Sequence, residues 1–79
     1  MGNNLEKIDQ FRSPQEFLRF ENWIAGEIGS GAASETPVLH YFAGENFQER
    51  WFEFHSANEV WRLVYPDGPF KGYWGKVEA

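Results

Sequence analysis

Apolar residues recur along this chain with two different periods. From residue 17 to residue 28 the step is three or four: Phe17, Phe20, Ile24 and Ile28 fall on one stripe. That spacing predicts an amphipathic helix. Leu18 and Ala25 widen the stripe on one side and Trp23 on the other, while Arg19, Glu21, Asn22 and Glu27 fall on the side predicted to meet water. The start is written in Ser13-Pro14-Gln15-Glu16. The Ser13 hydroxyl can accept the backbone N–H of Glu16, the Glu16 carboxylate can reach back to the N–H of Ser13, and Pro14 takes the first helical position, where its missing N–H costs nothing. Phe11 or Arg12 is placed to pack back on Phe17. Gly29 suits the residue just beyond the end, so the helix is expected over about 14–28.

The second period is two. Four runs alternate: 38–43, 47–55, 60–65 and 71–77. They are separated by Gly44-Glu45-Asn46, by Ser56-Ala57-Asn58-Glu59 and by Pro66-Asp67-Gly68-Pro69, breakers short enough to make consecutive hairpins. Residues 29–36 (GSGAASET) read as a flexible connection. Residues 1–4 read as frayed, and 5–11, with Leu5, Ile8 and Phe11 three apart, as a turn or a short edge strand. Gly72 and Gly75 flank Tyr73-Trp74, where glycine in a strand implies close approach of a ring or another backbone.

The central hairpin has a register that can be argued. With residues 56–59 as a four-residue loop closed by His55 and Val60, Phe54 faces Trp61, Phe52 faces Leu63 and Arg50 faces Tyr65. On the opposite side Glu53 meets Arg62 and Trp51 meets Val64. Opposed residues share a face, so Phe52, Phe54, Trp61 and Leu63 form an apolar face for the helix. The other face carries Glu49, Trp51, Glu53, His55, Val60, Arg62 and Val64. A one-residue slip would mix the two sets. The expected fold is a single α+β domain, with one N-terminal helix on one face of a four-stranded antiparallel meander and the second face of the sheet open.

Length sharpens this reading. A chain of 79 residues buries a marginal core of about 60% of its unfolded surface. There is no cysteine to staple it, and eight Phe, four Trp and three Tyr supply the mass instead. No disulfide and no thiolate metal site can form.

Charge narrows the function. The net charge is −5, and between residues 20 and 49 lie Glu21, Glu27, Glu35, Glu45 and Glu49 with no Lys or Arg. These acids would steer a basic partner toward the domain. An aromatic sheet can stack nucleobases, but that mode needs a basic groove, and seven Lys and Arg stand against twelve acids. Nucleic acid is therefore not the expected partner. The candidate binding residues are those of the open face, Trp51, Glu53, His55 and Arg62, joined by Tyr73 from the last strand. Trp, Tyr and Arg are the residue types that carry interface energy. Glu53, His55 and Arg62 also form the one constellation that could do acid–base work beside an anion, as in ribonucleolysis. No nucleophile triad or metal motif accompanies them, so no cofactor, metal or catalytic residue is assigned. Residues 1–13 lack the apolar run of a secretion signal, and no segment approaches a membrane span. The expectation is a cytoplasmic protein that meets no membrane.

One stretch carries a resemblance. Glu59-Val60-Trp61-Arg62-Leu63-Val64-Tyr65-Pro66-Asp67-Gly68-Pro69-Phe70-Lys71-Gly72-Tyr73-Trp74 resembles the C-terminal half of small bacterial proteins, some of which are encoded beside secreted toxins and are thought to be immunity proteins. The resemblance implies a stoichiometric, non-enzymatic inhibitor and carries no catalytic residue across. With the acidic surface it gives the leading expectation: a protein-binding domain that neutralises a basic toxin. The alternatives are a structural domain that self-associates and a small-ligand or ribonuclease-like site at Glu53, His55 and Arg62.

Overall fold

The structure, a computed structural model, describes residues 5–78; the expectation for residues 1–4 lies outside them. One helix, α1 (Pro14–Gly29), is followed by β1 (Ala33–Thr36), β2 (Glu49–Phe54), β3 (Glu59–Val64) and β4 (Tyr73–Lys76). The strands make one antiparallel sheet in chain order, and α1 packs against it. This is the expected α+β arrangement.

The helix begins where its cap is written. Ser13 Oγ accepts the Glu16 N–H at 3.1 Å, and Pro14 opens the first turn. The return bond lands one residue earlier than expected: the Glu16 carboxylate accepts the N–H of Arg12, at 2.6 Å, instead of that of Ser13. Phe11 packs edge-on against Phe17 at 5.1 Å, closing the hydrophobic staple. The far end differs more. Gly29 belongs to the helix, and Gly31 (φ +86°) supplies the left-handed residue. The N–H of Gly31 donates to the carbonyl of Ile28 (3.1 Å) and that of Ala32 to the carbonyl of Glu27 (2.9 Å). This is a Schellman closure, and it delivers the chain directly into β1.

The stretch read as a flexible connection is therefore a helix cap followed by an edge strand. Ala-Ser-Glu-Thr has little strand propensity of its own; pairing with β2 (Ala33 opposite Phe54, Thr36 opposite Trp51) overrides it. The strand expected over 38–43 is absent. β3 takes one edge of β2 and β1 the other, so the alternating Val38–Ala43 run does not gain the place beside β2 that the expected meander gives it. Residues 37–48 instead form an irregular strap.

The β2–β3 hairpin closes on residues 55–58, with Asn58 at φ 55°. Phe52 thus faces Trp61, Phe54 faces Glu59, Trp51 faces Arg62, Arg50 faces Leu63 and Glu53 faces Val60. The register is displaced by two residues from the expected one. Two is an even number, so no side chain changes face. Phe52, Phe54, Trp61 and Leu63 are all buried under α1, with Phe11, Phe17, Ile24 and Ala33. Trp74 joins them from β4. It stacks on Trp61 at 5.3 Å and meets Phe20 edge-on at 4.7 Å and Phe54 at 6.0 Å.

Residues 5–11 lie along the β4 edge. Ile8 and Trp74 exchange both backbone hydrogen bonds, at 2.8 and 2.9 Å, in an isolated bridge and not a full strand. Gly72 precedes β4 and Gly75 lies within it, and each has a ring close by, though at Gly72 it is neither of the rings expected there, Trp61 or Phe70. At Gly72 (φ +89°) the ring is that of Phe11, and at Gly75 it is that of Tyr73.

Candidate functional site

The second face of the sheet is not open. The strap crosses it, and Trp51 and Arg62, expected as exposed anchors, are 4% and 7% exposed. They are neighbours on adjacent strands, and the Arg62 guanidinium carbon sits 5.3 Å from the ring centre of Trp51 and 5.3 Å from that of Phe42, which the strap supplies. Phe42 in turn stacks on Tyr73 at 4.2 Å, nearly parallel. His40, also from the strap, meets Trp51 edge-on at 5.1 Å. The result is a layered stack of aromatic rings around one cation, a contact strengthened by removal from water.

One carboxylate ties the stack together. Glu49, 6% exposed, accepts the Trp51 indole N–H at 2.5 Å and the Phe42 backbone N–H at 2.8 Å. Its Oε2 also lies 3.4 Å from Arg62 Nε. That pair is an ion pair without a hydrogen bond, since Arg62 Nε is the buried side-chain nitrogen that lacks a hydrogen-bond partner among the described residues. Glu49 therefore serves as an internal latch, and its expected role in steering is corrected by burial. The Glu–Arg pairing expected across the hairpin is likewise corrected: Arg62 pairs with Glu49, because the shifted register sets Glu53 against Val60.

The remaining expected residues are dispersed. Glu53 is half-buried between Ser34 and Val60. His55 is exposed in the hairpin turn, its Nε2 3.3 Å from Ser34 Oγ. Tyr73 is half-buried beneath Phe42. With Arg62 committed to Glu49, the three-residue acid–base constellation is not assembled. Of the acids expected to steer, Glu45 is exposed and Glu27 half-buried. Glu35 and Glu21 belong to a network on the helix side of the sheet. Arg50 donates through Nε and Nη2 to the two oxygens of Glu35 (3.0 and 2.7 Å) and through Nη1 to the Tyr65 hydroxyl (3.1 Å). Tyr65 donates to Glu21 Oε2 at 2.6 Å. The Arg50 bonds hold the Glu35 carboxyl below its usual range. Bonds to Glu35 and Tyr65 raise the guanidinium further. Burial, helped by the bond to Glu21, pushes the Tyr65 phenol up. The network joins the helix, β1, β2 and the residue that follows β3, and leaves these two acids partly neutralised.

What the strap hides on one side it replaces on the other. Leu39 is 79% exposed, and Tyr41 and Phe42 are also exposed. Beside Leu39 runs a groove of about 490 Å³ between Pro37 on the strap and Val60 and Val77 on the sheet, with Trp51 at its floor. Asn58, Glu59, Lys76 and Glu78 give the groove a charged and polar margin, and this mixed surface is not foreseen from the sequence. Its signal was the run Val-Leu-His-Tyr-Phe between Pro37 and Gly44, which reads equally well as a strand.

Among the described residues no group of three His, Asp or Glu is placed to hold a metal ion, and no helix is long and apolar enough to cross a membrane. Compared with known families, curated proteins and solved structures, the chain matches none.

Proposed function

We propose that the protein is a non-enzymatic protein-binding domain, of the toxin-immunity type that the Glu59–Trp74 run resembles. It would bind a basic partner through the strap and the groove beside it. The observation that carries this reading is the exposed row Leu39, Tyr41 and Phe42, held on a strap whose underside is anchored by buried groups. Long irregular loops in small domains are uncommon and are often functional. Exposed aromatic and aliphatic side chains on a rigid support are what an interface core requires. Glu45 lies on the same strap, and the net charge of −5 favours a cationic partner by long-range attraction that weakens with salt.

The test is co-expression with the protein encoded by the neighbouring gene. Protection against its toxicity, lost in Leu39→Asp and Tyr41→Asp with the fold intact, supports the reading. Full protection by both variants, or a neighbouring product that is not toxic, sinks it. A second reading, self-association, has its own support in β1, an edge strand with no described strand on its outer side. Light scattering separates the two: a monomer at all concentrations removes it.

A further inference from the structure

A second groove, of about 370 Å³, lies on the opposite end of the domain between the first turn of α1 and the β3–β4 turn. Phe11, Pro14, Phe17 and Leu18 form one wall, and Tyr65, Pro66 and Phe70 the other. Leu18 sits beside the helix stripe yet is 57% exposed, because it overhangs this groove and not the sheet. The walls are preformed. Ser13 and Glu16 fix the helix start, and Asp67 and Phe70 exchange two backbone hydrogen bonds of 3.0 and 3.1 Å that set the turn. The size falls within the range of small-ligand sites, roughly 300–1,000 Å³.

Its charge is the reverse of the molecule's. Lys7, Arg50, Arg62 and Lys76 are held in ion pairs. Arg12, Arg19 and Lys71 have no ion-pair partner among the described residues, and two of these three, Arg12 and Lys71, line this groove. No acidic side chain lines it. An acidic chain thus places its uncommitted cations at the mouth of an apolar slot.

We propose that this groove binds a small amphiphilic carboxylate: an aromatic or branched aliphatic body seated on Phe17, Leu18, Tyr65 and Phe70, with one carboxylate turned toward Arg12 and Lys71. The apolar walls offer little to a polyanion such as inorganic phosphate, and a neutral apolar molecule would leave both cations unused. Phe47 of the strap packs on Phe70 at 4.9 Å, but no strap residue lines the groove, so the proposal is tested apart from the protein-binding reading.

The probe is 4-phenylbutyrate, titrated to low millimolar into the isotopically labelled protein while amide resonances are followed. Saturable shifts confined to Phe17, Leu18, Gly68, Phe70 and Lys71 are expected. Each exposed cation should contribute up to about fivefold in affinity. The double variant Arg12→Gln/Lys71→Gln, and the neutral amide of the probe on the wild type, should therefore each bind weaker by a factor between about 2 and about 25. Both residues are exposed, so the rest of the spectrum should not move. Leu18→Asp should abolish binding of acid and amide alike. Equal affinity for acid and amide, undiminished affinity in the double variant, or no saturable shift at these residues overturns the proposal.

Discussion

The ring of Tyr73 occupies the space into which Gly75 would project a side chain. Both residues lie on the strap side of β4, and Gly75 is the cross-strand partner of Arg62. The absence of a Cβ therefore lets Tyr73 lie where Phe42 can stack on it. Gly75→Ala should displace Tyr73 and cost about 2 kcal/mol, the range of overpacked sites. In a Tyr73→Ala background the same change should cost much less, because the clashing ring is gone. Gly26→Ala is the control of opposite sign. It lies within the helix with nothing near its missing side chain, so it should stabilise by about 0.5–1 kcal/mol. Urea titrations of the four variants check all three statements.

Glu49 and Arg62 should behave as a unit. Glu49→Ala strands a buried guanidinium and removes the acceptor of two further hydrogen bonds. The expected cost is about 3 kcal/mol, a large share of the roughly 4–12 kcal/mol available to a domain of this size. Glu49→Leu/Arg62→Met replaces the pair by apolar groups and should be more stable than either single variant. A double-mutant cycle with additive losses would show that the two residues do not act together.

The Tyr65 network makes stability fall at high pH. The phenol is raised above its ordinary 10.0 in the folded state, so the unfolded chain loses this proton first. The stabilisation is complete below pH 10 and is lost as pH rises through the folded value. Tyr65→Phe should be less stable near neutrality by about 1 kcal/mol, the worth of a hydrogen bond. It should also lose less stability above pH 10 than the wild type does. On the acid side the sign is the reverse. Glu35 and Glu59 are held below the ordinary 4.5 by Arg50 and by Trp61 with Lys76 respectively, so their contribution is present above that value and fades as pH falls through the folded ones. Denaturation midpoints across pH, wild type against Tyr65→Phe, test the alkaline limb; parallel curves above pH 10 would refute it.

The strap should divide into residues that hold and residues that present. Leu39→Ser and Tyr41→Ser should change stability by less than about 0.5 kcal/mol, as exposed positions do. Phe42→Ala should cost about 1–2 kcal/mol, since it removes a stacked ring and one face of the Arg62 sandwich. Thermal melts of the three variants decide this, and equal losses would mean that the strap is not divided in this way.

These expectations depend on which features the sequence made legible. The helix was legible because its cap and its stripe are local: Ser13, Glu16 and the Phe17–Ile28 spacing need no distant partner. The two faces of the central hairpin were legible because alternation depends only on parity, which a two-residue shift preserves. The register itself turned on Asn58, whose side chain tolerates the left-handed backbone that sets the turn one position earlier. β1 was hidden because Ala33–Thr36 takes its conformation from β2 and not from its own residues. Val38–Ala43 is the converse: it has a strand's alternation, but β1 holds the edge of β2. Burial of Trp51, Glu49 and Arg62 has the same origin, since the segment that covers them, 37–48, has a strand's pattern and a strap's conformation. Their shared face was readable; the lid over it was not.

The bridge between Ile8 and Trp74 bears on how molecules can aggregate. It occupies the β4 edge at Trp74, so among the described residues the unobstructed edge for strand addition is that of β1. β1 is four residues long, and Glu35 within it is bound to Arg50. Fibrous assembly requires every molecule to offer two free edges. Among the described residues β1 is the one sheet edge with no bridge across it, so two copies joined through β1 would leave a third only the β4 edges, each already occupied at Trp74.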